Sequence, residues 1–138
     1  MRLDDAAIQR FLATKEVVVL ATVQADGAPL AMPMWFLHDP ASLTMISVDG
    51  LQKVRNLRRD SRVCVVAEAV DDRGGIRGMV LRGRAEILGE GPERDARVAR
   101  FLDKYHPRLE GLWGGRAMPP NRVMFRIVPE HVRSWGLE

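Results

Sequence analysis

Short apolar runs, rich in β-branched residues and separated by turn signals, recur along the chain and predict strands rather than helices. Six of these runs follow one another with little helix between them. They cover residues 17–24, 29–37, 43–47, 62–69, 78–88 and 121–129. An Asp26-Gly27 pair between the first two runs is typical of a tight hairpin turn. The pattern predicts a mainly β fold, a small six-stranded antiparallel barrel.

Helical spacing of apolar residues appears in three places and predicts short flanking helices. Asp4 or Asp5 can cap the first helix, and Pro92 stands near the start of the last. The predicted helices cover residues 4–14, part of 47–60, and 91–105. The connecting segments are predicted to be a turn at 38–40, a loop at 106–120 and a terminal extension at 131–135. A chain of 138 residues with 46% hydrophobic residues suits one domain over 1–138.

The charge balance narrows the class of partner. The net charge is only +3, because 18 acidic residues are interleaved with 21 basic ones. No long basic stripe with interleaved aromatic residues is present, so we expect no nucleic-acid partner. No apolar stretch approaches the roughly 18 residues of a membrane span, and we expect no membrane partner. The mild basicity indicates a small anionic ligand instead.

The reactive side chains offer no obvious catalyst. Cys64 is the only cysteine and lies in an apolar run, which predicts a buried thiol and a reducing, cytoplasmic location. The three histidines, His38, His106 and His131, are too far apart to show metal-ligand spacing. We therefore predict no metal site and no catalytic side chain. If the protein is an enzyme, a bound cofactor carries the chemistry.

The segment at 47–60, SVDGLQKVRNLRRD, has the pattern of a phosphate site. A strand ends, the chain turns, and a basic helix begins with Lys53 and Arg55 in its first turn. Free N–H groups and the positive end of the helix dipole favour an anion at such a position. The alternative is a solvated basic helix face that buries Val54 and Leu57.

Four segments together resemble one family. VVVLATVQADGAP, PMWFLHD, LTMISVDGLQKVRNLRRDSRV and GMVLRGRAEI are similar to the pyridoxamine 5'-phosphate oxidase-like flavin and deazaflavin oxidoreductases. The ending RVMFRIVPEHVRSW resembles the last strands of that family. The resemblance implies an FMN-binding split β-barrel. It also implies a homodimer in which both chains build each of two cofactor sites.

The resemblance assigns residues to the cofactor. Lys53, Arg55 and Asn56 match its phosphate positions, Ser47 a hydroxyl near the ribityl chain, and Arg77 and Met79 a contribution from the other protomer. The full predicted cofactor-binding set is Pro33, Met34, Trp35, Ile46, Ser47, Val48, Gln52, Lys53, Arg55, Asn56, Arg77 and Met79. Two positions depart from the family pattern. Leu51 stands where a small hydroxyl residue is usual, and Gln52 where the first of two basic residues is usual.

Two classes of function follow. The first is an oxidoreductase that transfers a hydride between a flavin-type cofactor, coenzyme F-420 or FMN, and a small unsaturated or heteroaromatic substrate. The second is a non-catalytic protein that binds or carries flavin, deazaflavin or haem. Trp35 alone is weak evidence for a cofactor, because a lone tryptophan is more often a core residue than a cofactor stacking partner. Turnover with a reductant or an acceptor would separate enzyme from carrier.

Overall fold

A computed structural model describes residues 1–137 of the chain. Within these residues, seven strands form one antiparallel sheet, and four helices flank it. The elements are α1 Ala6–Ala13, β1 Val18–Val23, β2 Pro29–Met34, β3 Leu37–His38, β4 Leu43–Val48, α2 Gln52–Arg59, β5 Arg62–Val70, β6 Ile76–Leu88, α3 Pro92–Lys104, α4 Arg108–Trp113 and β7 Arg122–Trp135. The sheet curls into a split barrel, which confirms the predicted mainly β fold.

The strands follow the order β2-β1-β5-β6-β7-β4-β3. The count is seven rather than the predicted six, because the second apolar run is interrupted at Trp35 and Phe36 and yields both β2 and β3. His38, predicted in a turn, ends β3 and pairs with Leu43. Proline cannot donate to a ladder, which predicts Pro33 at a strand edge or a bulge. Pro33 does lie in β2, an edge strand.

The longest pairing joins β6 and β7. It extends from Leu88 opposite Met124 to Gly78 opposite Trp135, so the predicted terminal extension at 131–135 is the second half of a strand. A β-bulge lies between Arg82 and Gly83. A Cβ at Gly83 would lie 2.1 Å from the carbonyl oxygen of Val128, so only glycine fits this close approach.

Two hydrophobic clusters stabilise the structure. The first fills the barrel, and Ile8, Leu12, Val65 and Phe125 are among its fully buried members. The second lies where α3 and α4 pack on the sheet around Leu37. Its buried residues are Leu37, Leu88, Phe101, Leu102, Tyr105, Leu109 and Met124. This second cluster is separate from the barrel interior.

The helix α4 lies in a segment predicted to be a loop. It is six residues long and ends at Gly114 in the left-handed conformation. Trp113 is half-buried and packs against the second cluster. The prediction was wrong because a helix this short, containing Gly111, carries almost no periodic signal.

One face of the sheet is apolar and carries no covering element in residues 1–137. Cross-strand pairs place Pro33, Val19, Val66 and Val80 in one row. The neighbouring row contains Ala31, Ala21 and Cys64. We call these seven residues the apolar face. The pairing continues each row into an arginine at its edge, with Arg133 opposite Val80 and Arg82 opposite Cys64. Val19 keeps 40% of its accessible surface exposed.

Cys64 belongs to this apolar face rather than to the core. Val63 and Val65 on either side of it point into the barrel, so Cys64 points outward and is half-exposed. Partial burial raises the pKa of its thiol. The prediction of a core thiol was wrong because β5 is buried on one side only.

No helix within residues 1–137 is long and apolar enough to cross a membrane.

Candidate functional site

A cavity of about 380 Å³ lies between the ends of β2 and β4, the start of α2, the start of β7, and α4. Its size falls within the range of small-molecule sites. The lining residues are Pro33, Met34, Trp35, Ile46, Ser47, Val48, Leu51, Lys53, Phe101, Leu109, Leu112, Trp113 and Arg122. Most of them are apolar, and the described part of the chain contributes two basic residues and no acidic one to this lining.

The polar groups of the cavity come from neighbouring positions. Ser47 and Val48 end β4, and in the ladder they pair with Val123 and Arg122 of β7. Lys53 follows in the first turn of α2. The cavity therefore has a basic end built from three adjacent segments, and its charge suits an anionic group.

Ser47 carries a polar atom that its own chain leaves unsatisfied. The residue is 6% exposed, and its Oγ is buried without a hydrogen-bond partner in residues 1–137. A buried hydroxyl without a partner costs about 1–3 kcal/mol. Because Ser47 also lines the cavity, a ligand oxygen or N–H at this position would remove that cost.

The start of α2 is also open to an anion. Leu51 is its N-cap residue and supplies no side-chain hydrogen bond, and the first turn holds no acidic residue. By the geometry of a helix start, the N–H groups of Gln52 and Lys53 have no acceptor inside the helix. Partial burial lowers the pKa of Lys53, and a nearby anion would oppose this shift.

Seven of the twelve predicted cofactor-binding residues line this cavity: Pro33, Met34, Trp35, Ile46, Ser47, Val48 and Lys53. Three further residues of α2 do not. Asn56 is fully buried and donates from Nδ2 to Thr22 Oγ1 at 3.0 Å. Gln52 Nε2 donates to Asn56 Oδ1 at 2.7 Å, and Arg55 Nη2 donates to Gln52 Oε1 at 2.6 Å. These side chains bond to one another along the helix.

The last two predicted residues lie elsewhere. Met79 is fully buried within the barrel of its own chain, which leaves its side chain no surface for another copy's cofactor. Arg77 is exposed, with its guanidinium carbon 5.9 Å from the ring centre of Phe11. A role for Arg77 in another protomer's site stays a prediction.

The sequence did not indicate six of the lining residues. They are Leu51, Phe101, Leu109, Leu112, Trp113 and Arg122. Most come from α3, α4 and β7, far along the chain from the phosphate segment. No local signal marks them, since Arg122, for example, reaches the cavity through its pairing with Val48.

Trp35 is held in place by its own chain. Its indole stacks on Tyr105 with ring centres 4.3 Å apart and planes inclined by 9°. The Tyr105 hydroxyl accepts from the Phe36 N–H at 2.8 Å and donates to the Glu16 carbonyl at 2.7 Å. Burial raises the pKa of Tyr105 to about 12, so the hydroxyl remains a donor at neutral pH. Trp35 is thus a fixed wall of the cavity.

Replacing Tyr105 with phenylalanine should therefore cost stability. The variant keeps the ring stack but leaves the Phe36 N–H and the Glu16 carbonyl without their partner. We expect the free energy of unfolding to fall by about 1–3 kcal/mol. Urea unfolding of wild type and of Tyr105→Phe measures this difference in the free energy of unfolding. Equal unfolding midpoints and slopes would show that the hydroxyl does not anchor this wall.

The fold is that of a split-barrel protein, and its cavity combines a basic end with mostly apolar walls. The sequence profile described as pyridoxamine 5'-phosphate oxidase matches residues 4–136. The chain belongs to this family.

Individual relatives differ in what they bind. The F-420H(2)-dependent biliverdin reductase of Mycobacterium tuberculosis is 30% identical over 135 residues, which span 95% of this chain and 87% of the relative. A FAD-binding protein from Mesorhizobium loti is 25% identical with a TM-score of 0.74, covering 91% of this chain and 89% of its own. HutZ, the heme storage protein of Vibrio cholerae, shares the fold at 19% identity and a TM-score of 0.78, covering 99% and 97%.

Proposed function

We propose that this protein is an oxidoreductase that transfers a hydride between a flavin-type cofactor, coenzyme F-420 or FMN, and a small unsaturated or heteroaromatic substrate. The observation that carries the proposal is the cavity itself, in which a basic end meets apolar and aromatic walls. At the basic end lies a buried hydroxyl, that of Ser47, which has no hydrogen-bond partner in the described part of the chain. Both cofactors combine a phosphate with a planar ring system. When bound, either one supplies the hydride chemistry.

The residues present fit such a group. Lys53 and the open start of α2 suit a phosphate, and Ser47 Oγ suits a polar atom of the chain between phosphate and ring. Met34 and Trp35 offer apolar surface for the ring. These side chains bind and orient the cofactor and exclude water from one side of it, and no side chain is assigned a proton-transfer role.

We further propose that the working form is a homodimer joined through the apolar face. Pro33 belongs to both the apolar face and the cavity lining. A second copy seated on this face would therefore reach the rim of the cavity. It would also cover Val19 and the half-exposed Cys64, for which no element of the described chain provides cover.

A carrier or haem-binding role is the alternative. Histidine and cysteine are among the commonest ligands of haem iron, and neither lines the cavity in residues 1–137. This favours a flavin-type ligand. Between coenzyme F-420 and FMN, the reductase relative at 30% identity supports coenzyme F-420.

Titration of the purified protein with FMN, with coenzyme F-420 and with haem tests the proposal. We expect saturable binding of FMN or of coenzyme F-420, with a dissociation constant in the micromolar range or below. A micromolar dissociation constant corresponds to a binding free energy on the order of −8 kcal/mol. Oxidation of the reduced cofactor by an unsaturated acceptor would then separate enzyme from carrier. Binding of haem alone would contradict the flavin assignment.

A further inference from the structure

The resemblance to the family implies a basic residue at position 52, but this chain has glutamine there. The start of α2 therefore contributes a single basic residue to the cavity. Gln52 is engaged on both amide atoms, donating to Asn56 and accepting from Arg55. Asn56 in turn is tied to Thr22 inside the barrel. This chain of hydrogen bonds keeps Gln52 and Arg55 on the helix surface. Lys53 is then the one α2 cation that lines the cavity within the described residues.

A second cation reaches the same cavity from a different element. Arg122 opens β7, opposite Val48, and lines the cavity with Lys53 and Ser47. It is half-buried, and its Nη1 donates to Asn121 Oδ1 at 2.6 Å. A guanidinium has five N–H donors in a planar fork that matches phosphate. Within residues 1–137 its guanidinium makes no other hydrogen bond, so the remaining donors can bind a ligand.

We propose that Arg122 is a second anion-binding residue of this site and takes over, from β7, the contact that Gln52 cannot make. This inference rests on the proposed function. Two observations besides the helix start support it. The cavity lining includes no carboxylate from residues 1–137, and the buried Ser47 hydroxyl has no hydrogen-bond partner among the same residues. Arg122 thereby determines how strongly the site prefers a phosphate-bearing cofactor over the same ring system without phosphate.

The test compares ligands that differ in the phosphate. Wild type, Arg122→Gln and Arg55→Gln are titrated with FMN and riboflavin, and with coenzyme F-420 and its phosphate-free deazaflavin chromophore. In the series that wild type binds, we expect Arg122→Gln to weaken binding of the phosphate-bearing ligand by about tenfold or more, as for the loss of one charge-assisted contact. Binding of the phosphate-free ligand should stay within about twofold. Arg55→Gln should resemble wild type for both ligands.

A rescue variant separates a ligand contact from a structural role. Gln52→Arg added to Arg122→Gln returns a cation to the start of α2 and should restore at least about threefold of the lost affinity for the phosphate-bearing ligand. Three results would overturn the inference alone: an unchanged phosphate preference in Arg122→Gln, equal weakening of both ligands, or no rescue. If wild type binds none of the four ligands, the proposed function fails, and the inference fails with it.

Discussion

Replacing Lys53 with alanine is expected to weaken cofactor binding by about tenfold to a hundredfold. Lys53 lines the basic end of the cavity beside the uncapped start of α2. A charge-assisted contact between its ammonium and a phosphate is worth about 1.5–3 kcal/mol, and 1.4 kcal/mol is a factor of ten in affinity. The free energy of unfolding should change by less than about 0.5 kcal/mol, because Val54 and Leu57 keep the helix packed.

The matched control is Arg55→Ala on the same helix. Arg55 is exposed and donates to Gln52 rather than facing the cavity, so its loss should leave the dissociation constant within about twofold. Calorimetric titration of both variants measures the difference. Equal dissociation constants for wild type and Lys53→Ala would show that the phosphate is not bound at this helix start.

The pH dependence of binding gives an independent check on Lys53. Burial lowers its pKa in the free protein, and a bound phosphate raises it again. The complex then holds the proton at a pH where the free protein has lost it. Affinity should therefore fall as the pH rises through the lowered pKa of the free protein, and Lys53→Ala should lose this alkaline component.

The second large effect concerns assembly. We expect wild type to have twice the chain mass of 15.5 kDa in solution, and Val19→Glu to be monomeric. Val19 lies at the centre of one row of the apolar face, between Pro33 and Val66. A specific interface buries at least about 1,000 Å², and burying a carboxylate among these apolar side chains would remove its water at a large cost in free energy. Light scattering coupled to size exclusion measures both masses.

Ile87→Glu is the control for this variant. Ile87 is 44% exposed on β6, close to the 40% of Val19, but it lies outside the apolar face. The Ile87→Glu variant should therefore stay dimeric. Val19→Glu should also bind cofactor less tightly, because Pro33 connects the apolar face to the cavity. A monomeric wild type, or a dimeric Val19→Glu, would remove the apolar face as the interface.

Local signals predicted one wall of the cavity well. The β-branched runs, the turn at Asp49-Gly50 and the basic helix placed Ser47 and Lys53 together because these residues are close in sequence. Pro33 was placed correctly at an edge because proline cannot donate to a ladder. In these cases the chemistry of one residue, or of one turn, decides the structure.

The rest of the site depends on contacts that no local pattern contains. Arg122 reaches the cavity through its pairing with Val48, more than seventy positions earlier in the chain. The side chain of Asn56 is of a type that can bind phosphate, but it is buried and donates a hydrogen bond to Thr22 on β1. The position of Trp113 in the cavity lining depends on α4, a helix of only six residues. Sequence separation and burial, rather than residue type, decided these three positions.

The two edges of the sheet differ in a way that bears on aggregation. β2, at one edge, has proline at two of its six positions, Pro29 and Pro33. At the other edge, β3 has only two residues. Prolines interrupt the row of N–H groups that an incoming strand requires, and two residues are too few to act as a template. The protein can thus present an apolar face to a specific partner while resisting the edge-to-edge stacking that leads to fibrils.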